Sequence, residues 1–189
     1  VFRDLVQRFR SKLSREKHRH TRLRVQTKQV FATSAVLVVA GVVLLLLLEG
    51  DSGFGEGGWR GRSWAALFQS VSARTAGFNT CDIGALSSAG LLAMMILMFI
   101  GASPGSTGGG IKTTTAATLF AAMRANLKHR QHTETFRRTL PWEVIQKAVT
   151  VVVLSLATVA VFTLLLLHIE QKPLRDVLFE TVSAFATVG

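Results

Sequence analysis

Three long apolar runs set the frame of this chain: residues 30–48, 83–111 and 148–167 carry no charge over 19, 29 and 20 positions. A helix rises about 1.5 Å per residue, so roughly 20 apolar residues cross the ~30 Å hydrocarbon core of a bilayer. Each run is long enough. The first contains VLVVAGVVLLLLL, which offers no polar face to water, unlike the surface helix of a soluble domain. A secretory signal does not fit either, because the run begins 30 residues in and two more follow.

The segments between the runs are polar. In residues 1–28, Phe2, Leu5, Val6, Phe9 and Leu13 recur at helical spacing; an amphipathic helix and a solvated juxtamembrane segment both fit. Residues 49–62 read EGDSGFGEGGWRGR, with Gly53, Gly55 and Gly58 in the spacing GxGxxG. That spacing cradles a dinucleotide only between a strand and a helix, so here it reads as a flexible loop. Residues 63–73 then predict a helix too short to cross, followed by RTAGFNT at 74–80. The third run leads in the same way into a short helix at 173–184 and a glycine-containing ending.

These two short helices are copies of one unit. Laying Leu67–Ala73 on Leu178–Ala184 gives five identities in seven positions, and with one residue inserted Thr75-Ala76-Gly77 meets Thr187-Val188-Gly189. The repeating unit is span, short re-entrant helix, extended Thr-x-Gly, span. A half-crossing helix ending in non-helical backbone survives in a membrane only where it lines a cavity or is buried in protein. If it enters from outside, its C-terminal end carries roughly half a negative charge into the membrane and favours a cation there. Carbonyl oxygens of Thr75, Ala76, Gly77 and Phe78, and of Thr187, Val188 and Gly189, are the predicted ligands for a potassium ion stripped of water. Arg74 would repel cations if it faced them; the expectation is that it sits behind this filter and pairs with Asp82 or Glu180.

A second feature lies inside the 29-residue run. The segment Gly101, Ala102, Ser103, Pro104, Gly105, Ser106, Thr107, Gly108, Gly109, Gly110, Ile111 and Lys112 has five glycines in twelve residues. It predicts a span broken by an irregular loop and continued by a short helix at 113–123, the form that broken helices take at ion sites. The reading here is a loop under the filter that gates the path; a cytoplasmic hinge is the alternative. A phosphate-binding loop is disfavoured, because Gly110 is followed by Ile111 before Lys112 and no strand precedes it.

Charge adds the orientation. Of 22 Lys and Arg, ten lie in residues 1–28 and seven in 112–147, whereas 49–82 holds three against four acids and 168–189 two against three. By the positive-inside rule the two basic segments are cytoplasmic, so the runs cross outward, inward and outward. That placement argues against nucleic acid as the target of the +11 net charge. Cys81 is the sole cysteine, so no intrachain disulfide is possible, and His129 with His132 lacks the further ligands of a metal site. No nucleophile–base pair or catalytic carboxylate pair stands out, so no enzyme and no cofactor within the chain is expected.

SVSARTAGFNT, MFIGASPGSTGGGIKTTT and LFETVSAFATVG closely resemble the Trk/Ktr/HKT superfamily of potassium transporters, in wording most like the KtrB-type membrane subunit. The resemblance implies an all-α membrane protein of M1–P–M2 repeats around a pseudo-fourfold pore, with about one and a half repeats present. On that pattern 1–28 is a basic cytoplasmic segment, 29–128 is repeat three, 129–147 a cytoplasmic linker, and 148–189 the start of repeat four. It further implies potassium transport across the cell membrane of a bacterium, sodium as a promoter, homodimers in the lipid bilayer, and a cytoplasmic ring of RCK-type regulatory subunits that bind nucleotide. The chain begins without methionine and stops inside a filter motif, so it is expected to be part of a longer protein that does not conduct alone. A subunit of a tetrameric cation channel and a non-conducting membrane sensor or scaffold are the other readings. Two unequal filter copies in one chain speak against the first, and the second has no need of paired Thr-x-Gly segments.

Overall fold

The computed structural model describes residues 25–49, 58–129, 133–135 and 138–189. The predicted amphipathic segment at the N-terminus, most of the glycine-rich loop at 49–62 and His132 lie outside these residues. The described chain forms six helices: α1 (Val25–Leu48), α2 (Gly58–Ser72), α3 (Ser88–Phe99), α4 (Thr113–Leu127), α5 (Trp142–Glu170) and α6 (Leu174–Ala186). A hairpin of two-residue strands, β1 (Glu134–Thr135) and β2 (Arg138–Thr139), sits in the polar linker and packs beside α4.

Among the described residues, two helices have the length and composition to cross a membrane: residues 26–48 of α1, with mean hydropathy 2.8, and all of α5, with 2.7. The 29 residues of α5 span about 43 Å, more than the hydrocarbon core requires. Both keep much of their apolar surface uncovered; Val36, Leu47, Leu154 and Leu164 are all exposed. The 29-residue run is broken as expected: α3 has only 12 residues, an irregular loop follows, and α4 resumes at Thr113. One expectation fails. Glycine-rich residues 58–62 were predicted to belong to a loop, yet α2 begins at Gly58 and takes in Trp59, Arg60, Gly61 and Arg62.

Packing gathers the short helices around α3. Its buried face (Leu91, Met94, Leu97, Met98) meets Leu45 of α1, Ala66 of α2, and Val182 and Ala186 of α6 in one apolar core. α2 lies along α1, where the Ser70 hydroxyl donates to the Val38 carbonyl at 2.9 Å. At the far end of α1 the buried Glu49 carboxyl accepts from the Ser87 amide at 2.9 Å and from its hydroxyl at 2.8 Å. Ser87 caps α3 through Gly90, so the residue that follows α1 helps to fix the start of α3. Arg62 adds the short helix to this junction by donating to the Glu49 carbonyl at 3.0 Å.

Replacing the buried Glu49 with alanine removes both of its hydrogen bonds to Ser87. The expected loss is about 2 kcal/mol, seen as a lowered midpoint of thermal unfolding in detergent. Asp at that position, one methylene short of Ser87, is expected to recover only part of it.

Candidate functional site

α2 and α6 end alike. Beyond Ser72 the amides of Ala76 and Gly77 both donate to the Ser72 carbonyl, at 3.1 and 3.2 Å. Beyond Ala186, the amide of Thr187 reaches Ala184 at 3.1 Å and that of Val188 reaches Ser183 at 3.0 Å. The serines at matching positions also donate from their side chains: Ser72 to the carbonyl of Phe78, and Ser183 to that of Gly189 at 3.0 Å. The amides therefore face the helix ends, and the carbonyls are what remain. Among the described residues, no hydrogen bond is donated to the carbonyls of Thr75, Ala76, Gly77, Thr187 or Val188.

The backbone of these segments is not extended, which corrects the expectation from sequence. φ is positive at Thr75 (73°) and Gly77 (73°), and again at Thr187 (54°) and Gly189 (105°), but not at the residue between each pair. An extended strand turns successive peptide groups to opposite sides, whereas alternation of left-handed and ordinary residues turns them to the same side. Glycine takes such a φ freely; for threonine it is strained and must be held by its surroundings.

The two segments lie side by side. A Cβ built on Gly77 would overlap the backbone oxygen of Val188, so the chains meet at that point with no room for a side chain. Against both lies the glycine-rich loop. The Gly109 amide donates to the Thr187 hydroxyl at 2.7 Å, and the Gly110 amide donates to the Phe185 carbonyl at 3.2 Å. Gly108 abuts the Thr75 side chain: a Cβ there would stand 2.9 Å from the Thr75 Oγ1. Phe185 stacks on Phe99, the last residue of α3, with ring centres 5.8 Å apart.

Within the loop the backbone is held by the protein itself. The Ile111 amide reaches the Phe99 carbonyl at 2.9 Å, and Thr113 reaches Ala102 at 3.3 Å. The Lys112 ammonium folds back to the carbonyls of Gly108 at 2.5 Å and Ser106 at 3.3 Å. Gly101 packs against Gly109, and Ser103 accepts from the Ser106 amide across Pro104 and Gly105. The structure thus brings together the Thr75–Gly77 and Thr187–Gly189 segments and the loop, which are separated by up to 114 positions in sequence.

Arg74 is half-buried against α1 and donates to Ser34, at 3.2 Å to the hydroxyl and 3.4 Å to the carbonyl. This corrects the expected ion pair. Asp82 instead caps a short 3-10 turn (Ile83–Ala85) through the Gly84 amide at 2.9 Å. Glu180 stands 3.6 Å from Lys172, which also bonds Glu170 at 2.8 Å, and it is chiefly Glu170 that raises the pKa of this lysine. Phe78 follows Gly77 with its ring exposed. Sequence reasoning missed Ser34, Glu49 and the Ser72/Ser183 pair. The serines had a signal, since they fall on the same position of the repeat; Ser34 and Glu49 are distant partners with none.

Comparison with known proteins follows the same residues. The profile of the TrkH family, described as a cation transport protein, matches residues 10–189. Among curated relatives, the Ktr system potassium uptake protein B of Vibrio alginolyticus is 41% identical over 169 residues, covering 88% of this chain and 37% of the relative. The protein of the same name from Bacillus subtilis is 42% identical over 126 residues, covering 67% and 28%. The potassium/sodium uptake protein NtpJ of Enterococcus hirae is 36% identical over 177 residues, covering 91% and 39%. The chain therefore spans between 28% and 39% of the length of these relatives. The crystal structure of the potassium transporter TrkH from Vibrio parahaemolyticus superposes with a TM-score of 0.63 at 17% identity, covering 86% of this chain and 42% of that one; it shows a shared fold.

Proposed function

This chain belongs to the TrkH family of cation transport proteins and is a multi-pass membrane protein, and we propose that it supplies one half of a potassium-conducting pore in a complete transporter. Thr75–Phe78 and Thr187–Gly189 are two filter segments, contributed by the third and fourth repeats of an M1–P–M2 protein. α1, with residues 1–28 at its inner end, runs outward; α2 and α6 enter from outside and stop at the filter. Residues 101–112 are the gate.

The observation that carries this reading is the contact of Gly77 with the Val188 carbonyl, with both filter threonines resting on the glycine loop. Carbonyls without donors, aimed by alternating φ and backed by two helix C-termini, suit a dehydrated monovalent cation. Potassium is the substrate favoured by the names of the curated relatives, and the name of the Enterococcus hirae protein joins sodium to potassium in uptake; sodium as a promoter is the finer part of this proposal. The names of the two Ktr relatives, each a protein of a system, support a partner subunit; a homodimer and a cytoplasmic, nucleotide-binding regulatory ring are the finer parts of this proposal. The test is rubidium uptake by the complete transporter in a host deprived of its own potassium systems. Absence of uptake across a range of external potassium would favour a sensor or scaffold instead.

A further prediction concerns Lys112. Its ammonium ties the loop to itself through the Gly108 carbonyl, next to the filter. A charge-assisted hydrogen bond is worth roughly 1.5 kcal/mol, about tenfold in an equilibrium. Lys112→Met is therefore expected to loosen the gate and raise uptake by up to about tenfold, measured as initial rubidium flux at equal expression. A rate unchanged from wild type would show that the lysine does not hold the loop shut.

A further inference from the structure

A cavity of about 300 Å³ lies between α1, α4 and α5, away from the filter. Its polar lining includes Gln26 and Gln29 of α1, Thr118 of α4 and Lys147 of α5; Val144 and Val151 form an apolar side. Among the described residues, no acidic side chain lines it. Gln29 is only 7% exposed, and its amide nitrogen has no hydrogen-bond acceptor among the described residues. A buried donor left unmet costs about 1–3 kcal/mol, so the cavity lacks an acceptor that it is built to receive.

The arrangement along α5 defines what would fit. Lys147 has Val144 one turn before it and Val151 one turn after, all opening on the same space, and both valines are partly uncovered (41% and 45%). Trp142, 68% exposed, begins the helix, and Lys147 lies about 7.5 Å deeper along the axis. Exposed tryptophan at the end of a spanning helix marks the interface of a bilayer. In the topology proposed above this is the cytoplasmic leaflet. An occupant would need negative charge and acceptor oxygens for Lys147 and the glutamines, and a hydrocarbon part for the valines.

We propose that this cavity binds an anionic phospholipid of the cytoplasmic leaflet, its phosphate on Lys147, Gln26 and Gln29 and an acyl chain along Val144 and Val151. The lipid bridges α1 and α5 to α4, the helix that carries the glycine-rich loop at its N-terminus through the Thr113–Ala102 hydrogen bond. This inference rests on the proposed membrane orientation and not on the filter assignment.

The experiment is native mass spectrometry of the complete transporter released from nanodiscs containing phosphatidylglycerol or phosphatidylcholine. Wild type is expected to retain phosphatidylglycerol in preference to phosphatidylcholine. Lys147→Gln is expected to weaken that retention about fivefold, the weight of one lysine at an anionic surface. Gln29→Leu weakens it as well, and Lys147→Arg restores it. Equal retention of the two lipids by wild type would overturn the proposal without recourse to any variant. So would unchanged retention in both Lys147→Gln and Gln29→Leu, as expected if another protein segment fills the space, or displacement of the lipid by inorganic phosphate. Rubidium uptake is read in parallel: lipid retention by a transporter that fails to conduct leaves this site standing and removes the pore reading alone.

Discussion

Substitution of Gly77 by serine is expected to reduce the preference of the complete transporter for potassium over sodium by about tenfold or more. Two independent effects combine there. At a φ of 73° a side chain strains the backbone by about 1–3 kcal/mol. The added Cβ would also fall on the Val188 backbone oxygen, itself a proposed ion ligand of the neighbouring filter segment. The strain therefore does not stay in one segment: the Val188 carbonyl must move, and both proposed filter segments lose their geometry together. Competition of sodium with rubidium uptake measures the result. Selectivity equal to wild type, with the protein folded and expressed, would remove these residues from the filter.

The second large effect is expected at the loop. In Gly109→Ala, a Cβ would stand 2.6 Å from the Phe185 carbonyl oxygen and 2.9 Å from the Thr187 side chain. Relief requires the loop to withdraw, which breaks the 2.7 Å bond from the Gly109 amide to the Thr187 hydroxyl. One hydrogen bond and one steric conflict amount to about 1.5–3 kcal/mol against the closed arrangement. Rubidium uptake is expected to rise about tenfold or more, with selectivity retained because no filter residue has changed. Gly61→Ala serves as the control, since a Cβ at Gly61 meets nothing within 4 Å. An uptake rate that stays at the wild-type value would show that the loop does not limit passage.

Lys112→Met and Gly109→Ala act on the same closed loop, so their effects are not expected to add. Lys112 bonds Gly108, whose neighbour Gly109 carries the contact to Thr187. Residues sharing one hydrogen-bonded network couple by roughly 0.5–3 kcal/mol. A double variant little faster than the better single one would fit a single gate released once.

Much of the architecture was legible from pattern. Long uncharged runs have few alternatives to crossing a bilayer, and the glycine-rich interruption at 101–112 ends α3 at Phe99 and restarts helix at Thr113. The repeated short helix fixed the equivalence of α2 and α6, down to the serines that each hold a carbonyl six residues ahead. Where local composition misled, packing overrode it: Gly58 and Gly61 speak for a loop, but Arg62 ties that segment to Glu49 and the helix starts early.

The sequence by itself determined which segments are apolar enough for a membrane, which resemble one another, and where helix must break, because those follow from hydrophobicity and glycine content over neighbouring residues. Only the tertiary structure decided the rest. It paired Arg74 with Ser34 rather than with a carboxylate, set the Thr75–Gly77 and Thr187–Gly189 backbone in alternating φ rather than extended, and joined Gly77, Val188 and Gly109 at one place. These depend on which groups meet after residues dozens of positions apart have packed. A buried polar group then takes whichever partner geometry brings within about 3 Å, whatever charge complementarity along the chain would prefer.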